Sequence, residues 1–419
     1  MPEAELEPVE LIRQSGLVNR VGRLALSAGH GSYRVKAHML RIGHAIGLDD
    51  VRSQVALTEL TTTSFRGEIF RTEVSENRRV GINADRLADM ENYIGSLPDS
   101  VPMEQIEEQL DRFEEKPHLY RPRINALSAG VACAAFAFLN HGGLIECIIV
   151  LLAATIGQYI RRNLISRGIN QVGVTLLASA VSCLIYLGLV SLVGLAFAIP
   201  GQHEAGYVSA VLFLVPGFPL VTGALDLARL DFSAGMSRLT YALMILGAAA
   251  LSLWAVSTTV GIEPNPMDPG NINPLVLWTL LAAASFVGVF GFAIMFNSPM
   301  RMALGAAVIG MIANVGRLGL VEHWHVAPQA SAAVAALMVG LLARAVATPL
   351  GVPRLTVSVP AVVIMVPGVT VYRSVFEFNS GHSTAAVGLG VEGALVVIAL
   401  ALGLAVSRML TDREWTFER

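Results

Sequence analysis

The chain has 419 residues, 54% of them apolar and only 15% charged, with a formal net charge of −3 and a mean hydropathy of +0.60. Soluble globular domains run nearer to about 45–50% apolar and about 25% charged, so a soluble enzyme of this length and a disordered chain are both excluded. Charge is concentrated at the front, where residues 1–123 hold 16 of the 29 Lys and Arg and 20 of the 32 Asp and Glu, and no basic block points to nucleic acid as a partner.

The opening, MPEAELEPVELIRQ, is acidic and has no apolar core of the kind a cleaved signal peptide carries, which places the front part in the cytosol. Residues 8–28 set Leu11, Ile12, Leu17, Val18, Val21 and Leu24 on one stripe of an amphipathic helix. A Gly29-His30-Gly31 turn follows, and Ser32 is the expected N-cap of a second helix that stops at Gly47. Residues 53–63 and 69–75 alternate and are rich in Thr and Val, so they read as strands. Helices return at 84–95 and 103–115, the latter opened by Pro102, before a polar joint at Lys116-Pro117-His118. Residues 1–123 therefore read as a small cytosolic α+β domain. His30, Ser32, Asp49 and Asp50 lack the surrounding GxSxG, HExxH or phosphate-loop pattern of an enzyme, and surface or capping roles suit them better.

From residue 124 onward apolar runs recur, each near the roughly 20 residues that cross a bilayer. The spans are 124–140, 144–160, 172–197, 207–228, 237–261, 275–296, 302–320, 329–348, 355–376 and 384–408. Cys133, Cys147 and Cys183 all fall inside them and match no zinc or CxxC spacing, so they read as small buried hydrophobes. No metal site and no cofactor is expected. Arg161, Arg162, Arg167, Arg229, Arg238, Arg301 and Arg354 lie on one set of connections, and Arg408, Arg413 and Arg419 on the tail. The opposite connections at 141–143, 198–206 and 262–274 carry no Lys or Arg. This is the positive-inside pattern of a multi-pass protein with both termini cytosolic. Arg317 and Arg373 depart from it.

The membrane part also repeats. Val215-Pro216-Gly217 recurs as Val366-Pro367-Gly368, Ile156-Gly157-Gln158-x-x-Arg161 as Ile312-Ala313-Asn314-x-x-Arg317, and Leu139-Asn140 as Phe296-Asn297. The offsets are 151, 156 and 157 residues, and each pairs span n with span n+5. Five is odd, so the second half (275–410) enters the membrane upside down relative to the first (124–261), the architecture of inverted-repeat secondary transporters.

Proline removes an N–H and glycine permits a break, so each Pro-Gly pair interrupts a helix in mid-span. One such pair alone would read as a structural kink; the symmetric pair reads as two half-helix ends facing a substrate. Ionisable groups within spans are costly and point to function. Asp226 lies nine residues beyond Gly217, roughly 13–14 Å along a helix, and is either a gate or proton carrier or an anchor for Arg229 or Arg238. Arg373, roughly 7–8 Å beyond Gly368, either meets a substrate carboxylate or pairs with Glu377 one turn on. Glu146 and Glu392 are proton-coupling candidates if they face the cavity. Gln158, Asn314, Asn140 and Asn297 either hydrogen-bond substrate or bind helices together.

The strings around Gly29 to Val35, FAFLNHGG (136–143), LVPGFPLVTGALDLARLDFSAGMSRL (214–239), FAIMFNSPMR (292–301) and IMVPGVTVYRS (364–374) resemble the threonine/serine exporter family, in the form that fuses its two membrane modules. The resemblance implies export of L-threonine and L-serine across the inner membrane, driven by the proton-motive force, with related two-subunit members linked to succinate efflux. A hydrolase-like front domain, suggested for the family, finds no catalytic constellation here, so the chain reads as a transporter and not an enzyme. A zwitterionic hydroxy amino acid needs three kinds of anchor. Arg373 and the break at Gly217 and Gly368 suit its carboxylate, carbonyls freed near Pro216 or Pro367 its ammonium, and Thr222, Asn314 or Tyr372 its hydroxyl. Expected partners are that solute, protons and the lipid bilayer, with homo-oligomerisation open. Two alternatives stay open: a dicarboxylate exporter using Arg317 and Arg373, and a membrane-anchored enzyme or sensor whose chemistry sits in residues 1–123. The chain has no GxxxxGK[ST] loop for ATP drive.

Overall fold

The computed structural model describes residues 9–77, 80–195, 204–260 and 273–416. The acidic start at 1–8 and most of the connections expected at 198–206 and 262–274 lie outside the described residues. The chain divides into two compact units. One comprises Met1–Leu119 together with Thr222–Leu239 and Gly351–Pro353; the other comprises the remainder.

The first unit opens with helices α1 (Val9–Ala28) and α2 (Ser32–Ala45), followed by strands β1 (Asp50–Val55), β2 (Glu59–Arg66) and β3 (Ile69–Glu76), then α3 (Ala84–Gly95) and α4 (Met103–Glu115). The strands form one antiparallel sheet in the order β1-β2-β3. Leu11, Leu17, Val18, Val21 and Leu24 of α1 are buried as the stripe requires, but Ile12 is 40% exposed because a 100° step from Leu11 carries it off the stripe's edge. Val35, Met39 and Ile42 of α2, spaced at helical intervals, close over them. A Cβ on Gly22 would meet Leu60 at 2.5 Å and Met39 at 2.6 Å, so glycine permits this close approach of helix, helix and sheet. The run 53–63 is two strands and not one. Ala56 N–H donates to the Glu59 carbonyl at 2.8 Å in a turn that no Gly, Pro or Asn marks in the sequence. Gly31, not Ser32, occupies the N-cap of α2, which frees the Ser32 side chain for other work.

The second unit is helical. Its elements are α5 (Pro122–Leu139), α6 (Leu144–Ser166), α7 (Gln171–Gly194), α8 (Glu204–Ser209), a 3₁₀ turn (Leu212–Leu214), α9 (Gly217–Ala228) and α10 (Phe232–Val260). After these come α11 (Pro274–Met295), α12 (Met300–Glu322), α13 (Pro328–Leu350), α14 (Arg354–Val363), α15 (Gly368–Asn379), α16 (Ser383–Thr411) and a last turn, α17 (Arg413–Thr416). The ends of α9 and α10 that meet at residues 228–232 belong to the first unit. Among the described residues eight helices are long and apolar enough to cross a membrane, and ten spans result if each of two bent pairs counts as one. The protein is a polytopic helical membrane protein.

Lengths and contacts recur along this unit. α6 and α12 have 23 residues each and start 156 apart; α9 and α15 have 12 each, α10 and α16 have 29 each, and both of these pairs start 151 apart. The packing pairs α5–α6, α6–α7, α5–α8, α6–α8 and α7–α8 reappear as α11–α12, α12–α13, α11–α14, α12–α14 and α13–α14. α5 and α11 also pack on each other. Small residues allow it: a Cβ on Gly291 would sit 2.6 Å from the Ser128 carbonyl oxygen.

Candidate functional site

Both Pro-Gly sequences break their helices. Ala205–Leu214 and Gly217–Ala228 are bent by 66°, and Arg354–Val363 and Gly368–Asn379 by 48°. The two breaks are built alike. Gly217 N–H donates to the Val215 carbonyl at 2.8 Å and Gly368 N–H to Val366 at 2.8 Å, each across a proline. Pro367 has φ −79° and ψ 62°, the inverse γ-turn that a proline ring favours. Each proline carbonyl then starts the next half-helix, accepting from Leu220 N–H at 3.1 Å and from Val371 N–H at 3.1 Å. The breaks also seat on one another: a Cβ on Gly217 would meet Val363 Cγ2 at 2.5 Å, and one on Gly368 would meet Leu212 Cδ2 at 2.6 Å. Residues 212 and 363, like 217 and 368, are 151 apart. The contact is apolar and closed, flanked by buried Phe213, Leu214, Ile364 and Met365. One difference separates the two ends. The first turn of α9 contains Pro219, which has no N–H, where α15 has Thr370, so α15 offers one more amide donor.

A polar cluster lies in the first unit. Asp226, 4% exposed, accepts from the Ser32 amide at 3.1 Å and the Ser32 hydroxyl at 2.9 Å, so its carboxylate sits at the N-terminus of α2, where unpaired amides favour an anion. Arg238, 3% exposed, lies with Nε 3.2 Å from Asp226 Oδ2 and donates to Thr222 Oγ1 at 2.9 Å and the His30 carbonyl at 2.7 Å. Two glycines let α9 and α10 approach closely enough for this: a Cβ on Gly235 would be 2.9 Å from the Gly223 carbonyl oxygen. Arg229 instead stacks over the Tyr33 ring at 3.7 Å, and Lys36 pairs with Asp231 at 2.5 Å. Thr222 and Asp226, named from the sequence, are thus brought together with His30 and Ser32, which are buried and not surface residues.

Beside this cluster His30 and His38 meet edge to face at 4.8 Å, and His38 Nε2 is 3.0 Å from Glu91 Oε2. Burial, reinforced by His38, pushes the His30 imidazole well below its ordinary range. Burial alone would raise Glu91, yet the His38 hydrogen bond and Arg34 hold its carboxyl down to about 2. A separate cavity of about 660 Å³ in this unit is lined by Arg23, Arg86, Asn83, Glu114 and His118 among others, and by none of the candidate substrate, proton-coupling or gating residues.

The remaining candidates are dispersed through the helical unit. Asn314 is fully buried, donates to Ser285 Oγ at 2.9 Å and accepts from Arg317 at 3.0 Å. Its counterpart Gln158 donates to Asn125 at 3.0 Å and accepts from Arg161 at 3.4 Å. Asn140 caps α5 by donating to the Phe136 carbonyl at 2.8 Å, and Asn297 is buried just past α11 with φ 60°. Glu146 accepts from Gly143 N–H at 2.8 Å as the cap of α6, and from Tyr186 Oη at 3.4 Å. Tyr186, Tyr207 and Tyr372 follow ring on ring at 6.3 and 6.0 Å, so an aromatic file joins Glu146 to Tyr372, a link between distant residues that no local pattern predicts. Arg373 is half-buried on α15, while Glu377 pairs with His382 at 2.8 Å. Glu392 lies half-buried in the first half of α16.

Among the described residues, eight apolar helices of membrane-crossing length and two bent helix pairs define a polytopic membrane protein. Comparison with known proteins narrows the class. Residues 16–260 match the family model described as "Putative threonine/serine exporter", and residues 281–410 match a second, "Threonine/Serine exporter, ThrE". The chain belongs to the threonine/serine exporter family, in its two-module form. It is similar to the "Probable threonine/serine exporter" of Mycobacterium tuberculosis, at 26% identity over 94% of this chain and 76% of that protein. It is similar to the "Threonine/serine exporter" of Corynebacterium glutamicum, at 22% over 100% of this chain and 86% of that one. The "Probable succinate transporter subunit YjjP" of Escherichia coli K12 is 28% identical over 56% of this chain and 92% of its own length. No solved structure matches the chain.

Proposed function

We propose that the chain is a secondary active exporter that moves L-threonine and L-serine out of the cytosol across the inner membrane, with protons as the driving ion. Alternating access takes place between two inverted five-helix repeats, residues 124–261 and 275–410, attached to a cytosolic α+β domain of residues 1–123. The observation that carries this reading is the reciprocal seating of the breaks, Gly217 on Val363 and Gly368 on Leu212 at one offset of 151 residues. A pair of contacts related in that way is what a two-fold relation between the halves produces, and exchange of the halves' conformations is what switches such a carrier from one side to the other. The equal helix lengths and repeated packing pairs support it. Arginine placement supports cytosolic termini. The relatives named as amino-acid exporters match nearly the whole chain, whereas the succinate-named ones match little more than half, which favours the amino acid over the dicarboxylate.

Opening parts the two apolar contacts and exposes the half-helix ends at Pro216-Gly217 and Pro367-Gly368. The solute's carboxylate binds at the N-terminus of α15 with Arg373, its ammonium at carbonyls ending the preceding half-helices, and its hydroxyl near Tyr372 or Asn314. Asp226, latched by Thr222 and Arg238, acts as a gate, and Glu377 stands at the matching position 151 residues on. Glu146 and Glu392 remain the further proton-coupling residues.

Counterflow of labelled threonine in proteoliposomes tests the reading. Unlabelled serine is expected to compete and succinate not to; the reverse assigns the dicarboxylate instead. Arg373→Ala is expected to weaken apparent affinity at least ~10-fold, the loss of one hydrogen bond to a charged group. Collapse of the pH gradient is expected to abolish accumulation, while exchange of sodium for potassium leaves it intact; the opposite pattern overturns proton coupling.

A further inference from the structure

We propose that His30, His38 and Glu91 form a binding site for a divalent transition-metal ion of the zinc class. The three come from the turn before α2, from α2 itself and from α3, and one ligand atom of each lies within 4.8 Å of the others. His30 is 1% and His38 4% exposed. Among the described residues neither His30 Nε2 nor His38 Nδ1 has a hydrogen-bond partner. A buried polar nitrogen left without one costs about 1–3 kcal/mol, and an ion held by His30 Nε2, one nitrogen of His38 and Glu91 would relieve the first of these.

The donor set selects the ion. Two imidazoles and one carboxylate suit zinc, cobalt, nickel or ferrous iron, whereas calcium and magnesium want oxygen donors throughout. Arg34 lies 3.4 Å from Glu91 Oε1 and offsets part of its charge, which shifts the weight of binding onto the imidazoles and further against the hard cations. Three protein ligands leave a fourth position for water or a small ligand. The surroundings hold the site in place, because Arg238 donates to the His30 backbone carbonyl at 2.7 Å. Metal occupancy is thereby coupled to the buried Asp226–Arg238 pair one residue away. An ion that fixes His30 fixes the carbonyl on which Arg238 rests.

The test uses untagged full-length protein in detergent, stripped with chelator and titrated with Co²⁺ alone. One equivalent per chain is expected, with the visible ligand-field bands of a four-coordinate nitrogen and oxygen environment, bleached by added Zn²⁺. His30→Ala and Glu91→Gln are each expected to remove the bands and weaken binding at least about 10-fold. His44→Ala, at an exposed position on the same helix, is expected to leave both unchanged. Absence of the bands in wild type, or their survival in Glu91→Gln, overturns the site. Should a variant fail to fold, X-ray absorption of zinc-loaded wild type decides. Scattering from two imidazoles with light-atom neighbours supports the assignment, and sulfur neighbours or fewer than two imidazoles refute it.

Discussion

Substituting Gly217 by alanine places a methyl group 2.5 Å from Val363 Cγ2 and 3.2 Å from Cγ1. Real carbon atoms do not approach so closely, so either the side chain or the break must shift. Overpacking of this kind costs about 1–3 kcal/mol, offset by up to ~1 kcal/mol because alanine is the better helix former. Val363→Ala deletes both offending atoms and by itself costs about 1.5 kcal/mol of burial, plus a term for the gap it leaves. In the double variant the new methyl enters that gap. The two substitutions should therefore couple favourably by about 1–3 kcal/mol, well beyond the ~0.5 kcal/mol scatter of independent sites. Chemical unfolding of the four proteins in one detergent measures the coupling, and threonine counterflow on the same samples shows whether transport falls in Gly217→Ala and returns in the double variant. Gly368→Ala with Leu212→Ala is the matching cycle at the other break. Additive effects in both cycles would show that the breaks do not hold each other, and the reading built on their contact would fail.

Asp226→Asn leaves Arg238 almost fully buried without a counter-charge and is expected to cost about 3–5 kcal/mol, with most of the loss recovered in Asp226→Asn/Arg238→Met. An unrecovered double variant would mean that the pair's own charge is required. Lys36→Ala breaks an ion pair whose lysine is 38% exposed, so its effect on unfolding should stay below about 1 kcal/mol. Leu230 holds φ 61°, a left-handed conformation that costs a branched residue about 1–2 kcal/mol, so Leu230→Gly should raise stability; an unchanged or lower value would refute the strain. A fragment of residues 124–419 would lack Ser32 and the His30 carbonyl that satisfy Asp226 and Arg238, and is expected to lose folded yield and counterflow. Full activity in that fragment would show that the cluster is dispensable.

The eight long apolar helices and the two bent pairs were legible because a bilayer imposes a length and a hydropathy that local composition reports directly. The breaks were legible because Pro-Gly has a steric consequence wherever it falls in a helix. Helices 84–95 and 103–115 begin and end in the structure as their patterns predict. What pattern could not supply was choice among distant partners. Arg229 and Arg238 were equal candidates for Asp226, and the Gly223–Gly235 crossing decides for Arg238 while Tyr33 takes Arg229. His30, His38 and Glu91 are separated by 53 residues between the last two, and no short motif announces their meeting. Glu146, by contrast, stands three residues after Gly143 at a helix start, a spacing that already signals a cap.

Proline at 219 opposite threonine at 370 makes an otherwise paired architecture electrically lopsided. Two halves with the same backbone do not attract an anion equally if one has lost a donor. On the proposed reading, a molecule carrying opposite charges at its two ends would lie in one direction only, its acidic end always toward the second half. It would keep that heading through the whole cycle, so the carrier turns around its cargo without the cargo turning within it.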